Sequence, residues 1–153
     1  MKRDCGSWIN VLSHKIKKHL NVRLADLGVN GMQSRVLHYI LVRTQEGPLF
    51  QKDLEDVFGL SRSTATGMLQ GLERDGLIRR ESVPYDARLK RLVPTRQAQA
   101  LDAQVQACAR EMEDLLCRDL SPGQVQLFLE TAEKMMENLD EAEARGSGET
   151  NGL

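Results

Sequence analysis

The 153-residue chain carries 21 basic and 22 acidic side chains, a formal net charge of −1, and only 4% of its residues are aromatic. That length supports one domain with a real core but not two ordinary ones, and the core must be filled by Leu, Val, Ile, Met and Ala, which favours a helical fold over a sandwich. There is no run of about 18 apolar residues that could span a membrane, no apolar stretch behind the charged opening Met1–Gly6 that would read as a secretory signal, and no disulfide framework in three widely spaced cysteines, so a reducing cytoplasm is the expected location.

From the N-terminus, Ser7 to about Ala25 predicts a helix, because Trp8, Leu12, Ile16 and Leu20 recur every four residues with Val11 beside them. Asn30 is placed to cap a second helix, with Gln33 three residues on as its capping-box partner and Val36, Leu37, Ile40 and Leu41 as its apolar face. Gly47-Pro48 ends it. Leu49-Phe50 is a candidate short strand. A short helix from Gln51 to Phe58 stops at Gly59, a residue that takes positive φ without steric cost. Ser61 caps the next helix, which runs to about Asp75 and ends at Gly76. Leu77–Ser82 and Leu89–Val93 predict two strands joined through Pro84-Tyr85-Asp86. Thr95 caps a long helix over about 96–118, and Ser121-Pro122-Gly123-Gln124 opens the last one. From Arg145 the tail, Gly- and Ser-containing, is expected to be disordered. No internal repeat is present. Helices followed by a two-stranded hairpin and two more helices make a mainly α fold with a β-hairpin wing, the winged helix-turn-helix arrangement.

Charge is unevenly distributed along this order. Residues 61–96 hold eight basic and four acidic side chains, whereas residues 97–153 hold four basic and twelve acidic ones. A basic middle beside an acidic C-terminal third fits a lobe facing nucleic acid on a separate scaffold. The helix after Ser61 sharpens this reading. Ala65, Met68, Leu69 and Leu72 fall on one arc and face the core. Ser63, Thr66, Gly67, Gln70 and Arg74 lie opposite, with Arg62 and Thr64 flanking them in the first turn. That outward face has no carboxylate in its first three turns. Hydroxyls, an amide and guanidinium groups suit phosphate oxygens and base edges, and the helix N-terminus adds free N–H groups for a phosphate. Arg88 and Lys90, two apart at the hairpin return, are expected on one face of an extended strand. There an Arg can enter a narrow minor groove. Asp86 is expected to orient Arg88, or to pair with Arg74 or another basic neighbour in the lobe. The expected DNA contacts are therefore Ser61, Arg62, Ser63, Thr64, Thr66, Gln70, Arg74, Arg88 and Lys90.

The motif Asp86-x-Arg88-x-Lys90, followed by Leu92-Val93-Pro94-Thr95 and a long helix, resembles the MarR family of bacterial regulators. So do Leu60-Ser61-Arg62-Ser63-Thr64 at the start of the outward-facing helix and Leu72-Glu73-Arg74-Asp75-Gly76-Leu77-Ile78 at its end. Asn30-x-x-Gln33-x-x-x-Leu37 is similar to the family's second helix, with Asn in place of the more usual Thr, and Pro84 departs from the pattern before the wing tip. The resemblance covers roughly residues 7–140. It implies a single domain over 1–144, with a DNA-binding lobe at about 47–95 and dimerisation helices at about 7–27 and 96–144, followed by the tail 145–153. It also implies a homodimer that binds a pseudo-palindromic duplex, usually as a repressor, and is released by a small anionic or phenolic ligand. Trp8, His14, Arg35 and His38 are candidates for lining that ligand's crevice.

Oxidant sensing is the alternative regulatory chemistry. It would use Cys5, near Lys2 and Arg3 in sequence, since a reactive thiolate needs exposure and basic neighbours. Cys108 and Cys117 are expected to be packing residues. No Cys/His cluster has metal-ligand spacing, so neither a metal nor another cofactor is expected. No nucleophile–base pair or phosphate loop argues for an enzyme. A winged helix used for protein contact would need large apolar residues on the outward face of the 61–75 helix, and the two there, Met68 and Leu69, belong to the inward arc.

Overall fold

The computed structural model describes residues 4–149. Its elements follow in the order α1 (Cys5–Asp26), α2 (Gly31–Arg43), α3 (Gln51–Phe58), α4 (Arg62–Arg74), β1 (Ile78–Val83), β2 (Asp86–Pro94), α5 (Arg96–Cys117) and α6 (Pro122–Glu149). This is the mainly helical winged helix-turn-helix order that the sequence predicts.

Local chemistry accounts for most of the boundaries. Asp4 caps α1 by accepting the Ser7 N–H at 2.8 Å, so that helix starts earlier than the apolar pattern alone implies. Asn30 and Gln33 form the expected reciprocal capping box, with bonds of 2.9 and 3.0 Å. Ser121 and Gln124 do the same at the start of α6, at 3.2 and 2.8 Å. Gly59 and Gly76 end α3 and α4 in the left-handed region, with φ of 61° and 74°. Phe50 makes a single bridge to Arg91, and the Leu92 N–H donates to the Leu49 carbonyl at 2.8 Å. The expected short strand is thus one bridge docked on the outer edge of β2.

The chain divides at Met112 into two compact units. In the first, the core is built from Leu37 and Ile40 of α2, Leu54 of α3, Leu69 and Leu72 of α4, Ile78 of β1 and Leu92 of β2. Tyr39 and Phe58 pack edge to face against it, with ring centroids 5.4 Å apart. Only one arc of α4 is buried: Ala65, Leu69 and Leu72 are each 1% exposed. The apolar stripe of α1 is largely uncovered, with Trp8, Ile9 and Leu12 exposed and burial reached only at Leu24.

The second unit holds the end of α5, a turn with Asp119 at φ 62°, and α6. It exposes Leu120, Leu127, Phe128, Met136 and Leu139. Helix α6 runs past the expected end near 144, through Glu149. Arg145 there bonds to Glu141 one turn back at 3.0 Å. The last four residues of the expected disordered tail, 150–153, lie outside the described residues, as do Lys2 and Arg3.

The hairpin differs from the regular ladder expected. Residues pair in order from Ile78 with Pro94 to Ser82 with Lys90, but the next β1 residue, Val83, pairs with Asp86. Ala87, Arg88 and Leu89 are therefore extra residues on β2 and form a bulge. The two-residue alternation from which Arg88 and Lys90 are expected to share a face is interrupted by this bulge, and both side chains are exposed.

Leu69 sits at the centre of the core on the helix whose other face is exposed. Leu69→Ala should cost about 2–5 kcal/mol, read as a lowered urea midpoint at fixed protein concentration.

Candidate nucleic-acid interface

The exposed arc of α4 begins at its cap. The Ser61 hydroxyl oxygen accepts the Thr64 N–H at 3.2 Å and donates to Thr64 Oγ1 at 2.8 Å, with Ser63 Oγ 3.2 Å away. Arg62, Ser63, Thr64, Gly67, Gln70 and Arg74 are all exposed. A Cβ placed on Gly67 would meet nothing within 4 Å, so the helix can be approached closely at that point. Thr66 is the exception on this face. It is half-buried, and its Oγ1 accepts a bond from Gln51 Nε2 of α3 at 2.8 Å. Nothing in the sequence pattern singled out Gln51, because its role is a contact between two helices 15 positions apart in the chain.

Ion pairing refines the picture of a uniformly basic segment. Arg79 and Arg91 both lean on Glu81, at 3.8 and 3.0 Å, and Arg80 lies 3.5 Å from Glu73 with its side chain largely buried. These three arginines are partly neutralised within the lobe. Arg74 has only a long contact to Asp75, at 3.9 Å. Among the described residues no carboxylate lies within ion-pair distance of the Arg62 or Arg88 guanidinium or of the Lys90 ammonium, which bonds to the Ser82 hydroxyl. Asp86 accepts the backbone N–H of Arg88 at 2.9 Å. The bond holds the Arg88 backbone in the bulge; the Arg88 side chain is exposed, and among the described residues Asp86 pairs with neither Arg74 nor another basic neighbour in the lobe.

The residues expected to bind an effector separate into two groups. Arg35 and His38 line a crevice of about 350 Å³ with Tyr39, Val42, Phe58 and Val105. His38 Nδ1 is 3.1 Å from both carboxylate oxygens of Asp102 on α5 and 3.3 Å from the Gln106 amide nitrogen. Tyr39 turns its hydroxyl to Arg43, and this bond, with Glu46 behind it, raises the Arg43 pKa. Trp8 and His14 lie elsewhere, on α1, where His14 borders shallow grooves with Lys15 and Lys18. Sequence reasoning missed Tyr39 and Phe58 as crevice walls and Asp102 as the partner of His38, since periodicity marks a side chain as inward or outward but not as crevice-facing or as paired across helices.

Among the described residues no group of His, Cys, Asp and Glu could hold a metal ion, and no helix is long and apolar enough to cross a membrane. Cys5 is exposed at the start of α1. Cys117 is half-buried and bonds to Glu113 at 3.4 Å, and this contact pushes its thiol pKa up.

An exposed helix whose first three turns lack carboxylates, beside a hairpin that holds an Arg outward, defines a winged helix-turn-helix protein of the DNA-binding kind. A model of the MarR family matches residues 27–89. A MarR family protein of Clostridium acetobutylicum is 30% identical over 87% of this chain and 96% of its own, with a TM-score of 0.73. A single-substitution variant of MepR from Staphylococcus aureus, solved bound to an oligodeoxyribonucleotide, is 25% identical over 90% of this chain and 99% of its own, with a TM-score of 0.71. MarR from Oenococcus oeni is also 25% identical, over 88% of this chain and 99% of its own, with a TM-score of 0.58. No curated protein sequence matches. The chain belongs to the MarR family of transcriptional regulators.

A raised Cys117 pKa leaves less thiolate at any pH below it. Iodoacetamide at about pH 8, just under the ordinary thiol pKa, should modify Cys5 well before Cys117. Cys117 labelling should speed up only as pH is raised further, as read by intact-mass spectrometry.

Proposed function

We propose that this regulator binds duplex DNA as a homodimer, with α4 in the major groove and the hairpin in the flanking minor groove, and that it represses transcription from a pseudo-palindromic operator. The observation that carries the reading is the pairing of two features: the solvent-facing arc of α4, which has no carboxylate in its first three turns, and the exposed, unneutralised Arg88 in the bulge whose backbone Asp86 holds. Ser61, Arg62, Ser63, Thr64, Thr66, Gln70 and Arg74 would meet phosphates and base edges from α4, and Arg88 and Lys90 from the wing. The MepR variant solved with an oligodeoxyribonucleotide supports DNA as the partner. Homodimerisation is supported by the uncovered apolar faces of α1 and α6, notably Trp8, Leu12, Phe128 and Met136. A two-fold dimer places its recognition helices about one turn of DNA apart.

Selection from a random duplex library should therefore yield a pseudo-palindrome. Its log-log salt slope should correspond to roughly 6–10 phosphate contacts per dimer. Arg88→Ala should weaken binding and flatten that slope by about 1 for each phosphate it leaves unneutralised. Equal affinity of Arg88→Ala and wild type across several salt concentrations would remove the wing from the interface.

The reading extends to release by a small aromatic anion in the crevice beside Arg35 and His38. Aromatic walls from Tyr39 and Phe58 and the cationic Arg35 suit such a ligand. Salicylate, titrated into the protein–operator complex, should raise the apparent Kd, and Arg35→Ala should blunt that response. Unchanged operator affinity at millimolar salicylate would separate this crevice from effector binding.

A further inference from the structure

Gln51 opens α3, and its amide nitrogen Nε2 faces three acceptors. Thr66 Oγ1 is 2.8 Å away, Glu55 Oε1 3.0 Å and the Arg62 carbonyl oxygen 3.3 Å. A carboxylate and a carbonyl can only accept, so turning the amide over would set its own oxygen against both. The nitrogen therefore points into the first turn of α4. It carries two hydrogens: the Glu55 carboxylate takes one, and the other is directed at Thr66 Oγ1, with the Arg62 carbonyl as the more distant acceptor.

Thr66 is thereby made an acceptor from within the protein, and its own hydroxyl hydrogen must go elsewhere. The usual destination in a helix is the carbonyl four residues back. Thr44 and Thr131 use it, donating to the carbonyls of Ile40 and Leu127 at 2.7 Å each. For Thr66 that carbonyl is Arg62's, which Gln51 already engages, and Thr66 makes no such bond.

We infer that Gln51 is a positioning residue for DNA recognition, one that fixes the Thr66 hydroxyl as an outward-facing hydrogen-bond donor. The inference rests on α4 being the recognition helix. The group that Thr66 reads is then an acceptor on the duplex, either a phosphate oxygen or an acceptor atom on a base edge. The same amide engages the Glu55 carboxylate, whose side chain is only 13% exposed and whose other oxygen lies 4.0 Å from the Lys52 ammonium.

A double-mutant cycle on the selected operator tests this, using Q51M, which keeps the side-chain length without the donor, and T66V, which keeps the shape without the hydroxyl. Q51M should weaken binding about five-fold with Thr66 present and less than about two-fold in the T66V background, while T66S, which retains the hydroxyl, should keep the full sensitivity to Q51M. Repeating the library selection with Q51M separates the two sources: relaxed preference at one base pair identifies a base edge, and an unchanged motif with uniformly weaker binding identifies a phosphate. Equal losses from Q51M in the Thr66 and T66V backgrounds, or no loss at all, would overturn the inference while leaving the recognition helix in place. Failure of the wild type to select any duplex would instead remove the recognition-helix reading, and this inference with it. Should Q51M not fold, Q51A goes through the same cycle, since Ala has the strongest helix propensity.

Discussion

One threonine holds the two functional elements of the first unit in register. Thr95 ends β2 and caps α5, and its hydroxyl donates to the Gly76 carbonyl at 2.7 Å while accepting the Ala98 N–H at 3.2 Å. Its backbone N–H donates to the Leu77 carbonyl at 3.0 Å. Gln97 adds a bond to the Asp75 carbonyl at 3.2 Å. The C-terminus of α4, the start of β1, the end of β2 and the first turn of α5 therefore meet at one joint. Gly76 permits it, since its φ of 74° lets the chain leave α4 and enter the hairpin across only three residues, Asp75, Gly76 and Leu77. A side chain there would be strained, and its Cβ would come within 3.1 Å of the Gln97 amide oxygen.

The position of α4 relative to the wing follows from that joint and from the core beneath it. Leu69 and Leu72 anchor the inner arc of α4 among Leu37, Ile40, Leu54 and Ile78, leaving the outer arc to solvent. The hairpin then projects beside that arc and ends in the bulge where Asp86 holds the Arg88 backbone. Its charge is selective. Arg79, Arg80 and Arg91 are offset by Glu81 and Glu73, while Arg62, Arg88 and Lys90 keep their charge. A basic segment becomes a directed basic surface because the acidic side chains lie beside some arginines and not others. The same α5 that starts at the joint carries Asp102 to His38, so the crevice near Arg35 is linked through one continuous helix to the base of the wing.

Local signals made most of this architecture legible. The Asn30/Gln33 and Ser121/Gln124 boxes, the Gly59 and Gly76 stops and the Ser61 cap each involve groups three or four residues apart, and all of them form as the spacing predicts. Of the inward arc Ala65, Met68, Leu69 and Leu72, three are buried as the period requires and Met68 is half-buried against the core. The departures have equally local causes. Asp4 extends α1 at its start, and the Arg145–Glu141 pair accompanies a longer α6. At the wing, the irregular pairing around Arg88 could not be read in advance, because a bulge adds residues to one strand without leaving a signature in composition.

Amino-acid order alone was enough for the succession of elements, the caps of α2, α4, α5 and α6, the inward and outward faces of α4 and the family, because these depend on periodicity and on groups close together in the chain. Folding in three dimensions settled the rest: which arginines are neutralised, that Thr66 is held by Gln51, and that Arg35 and His38 share a crevice with Tyr39 and Phe58 while Trp8 and His14 do not. Those outcomes depend on side chains brought together from separate helices and strands, where a few ångströms decide whether two groups interact and no spacing rule applies.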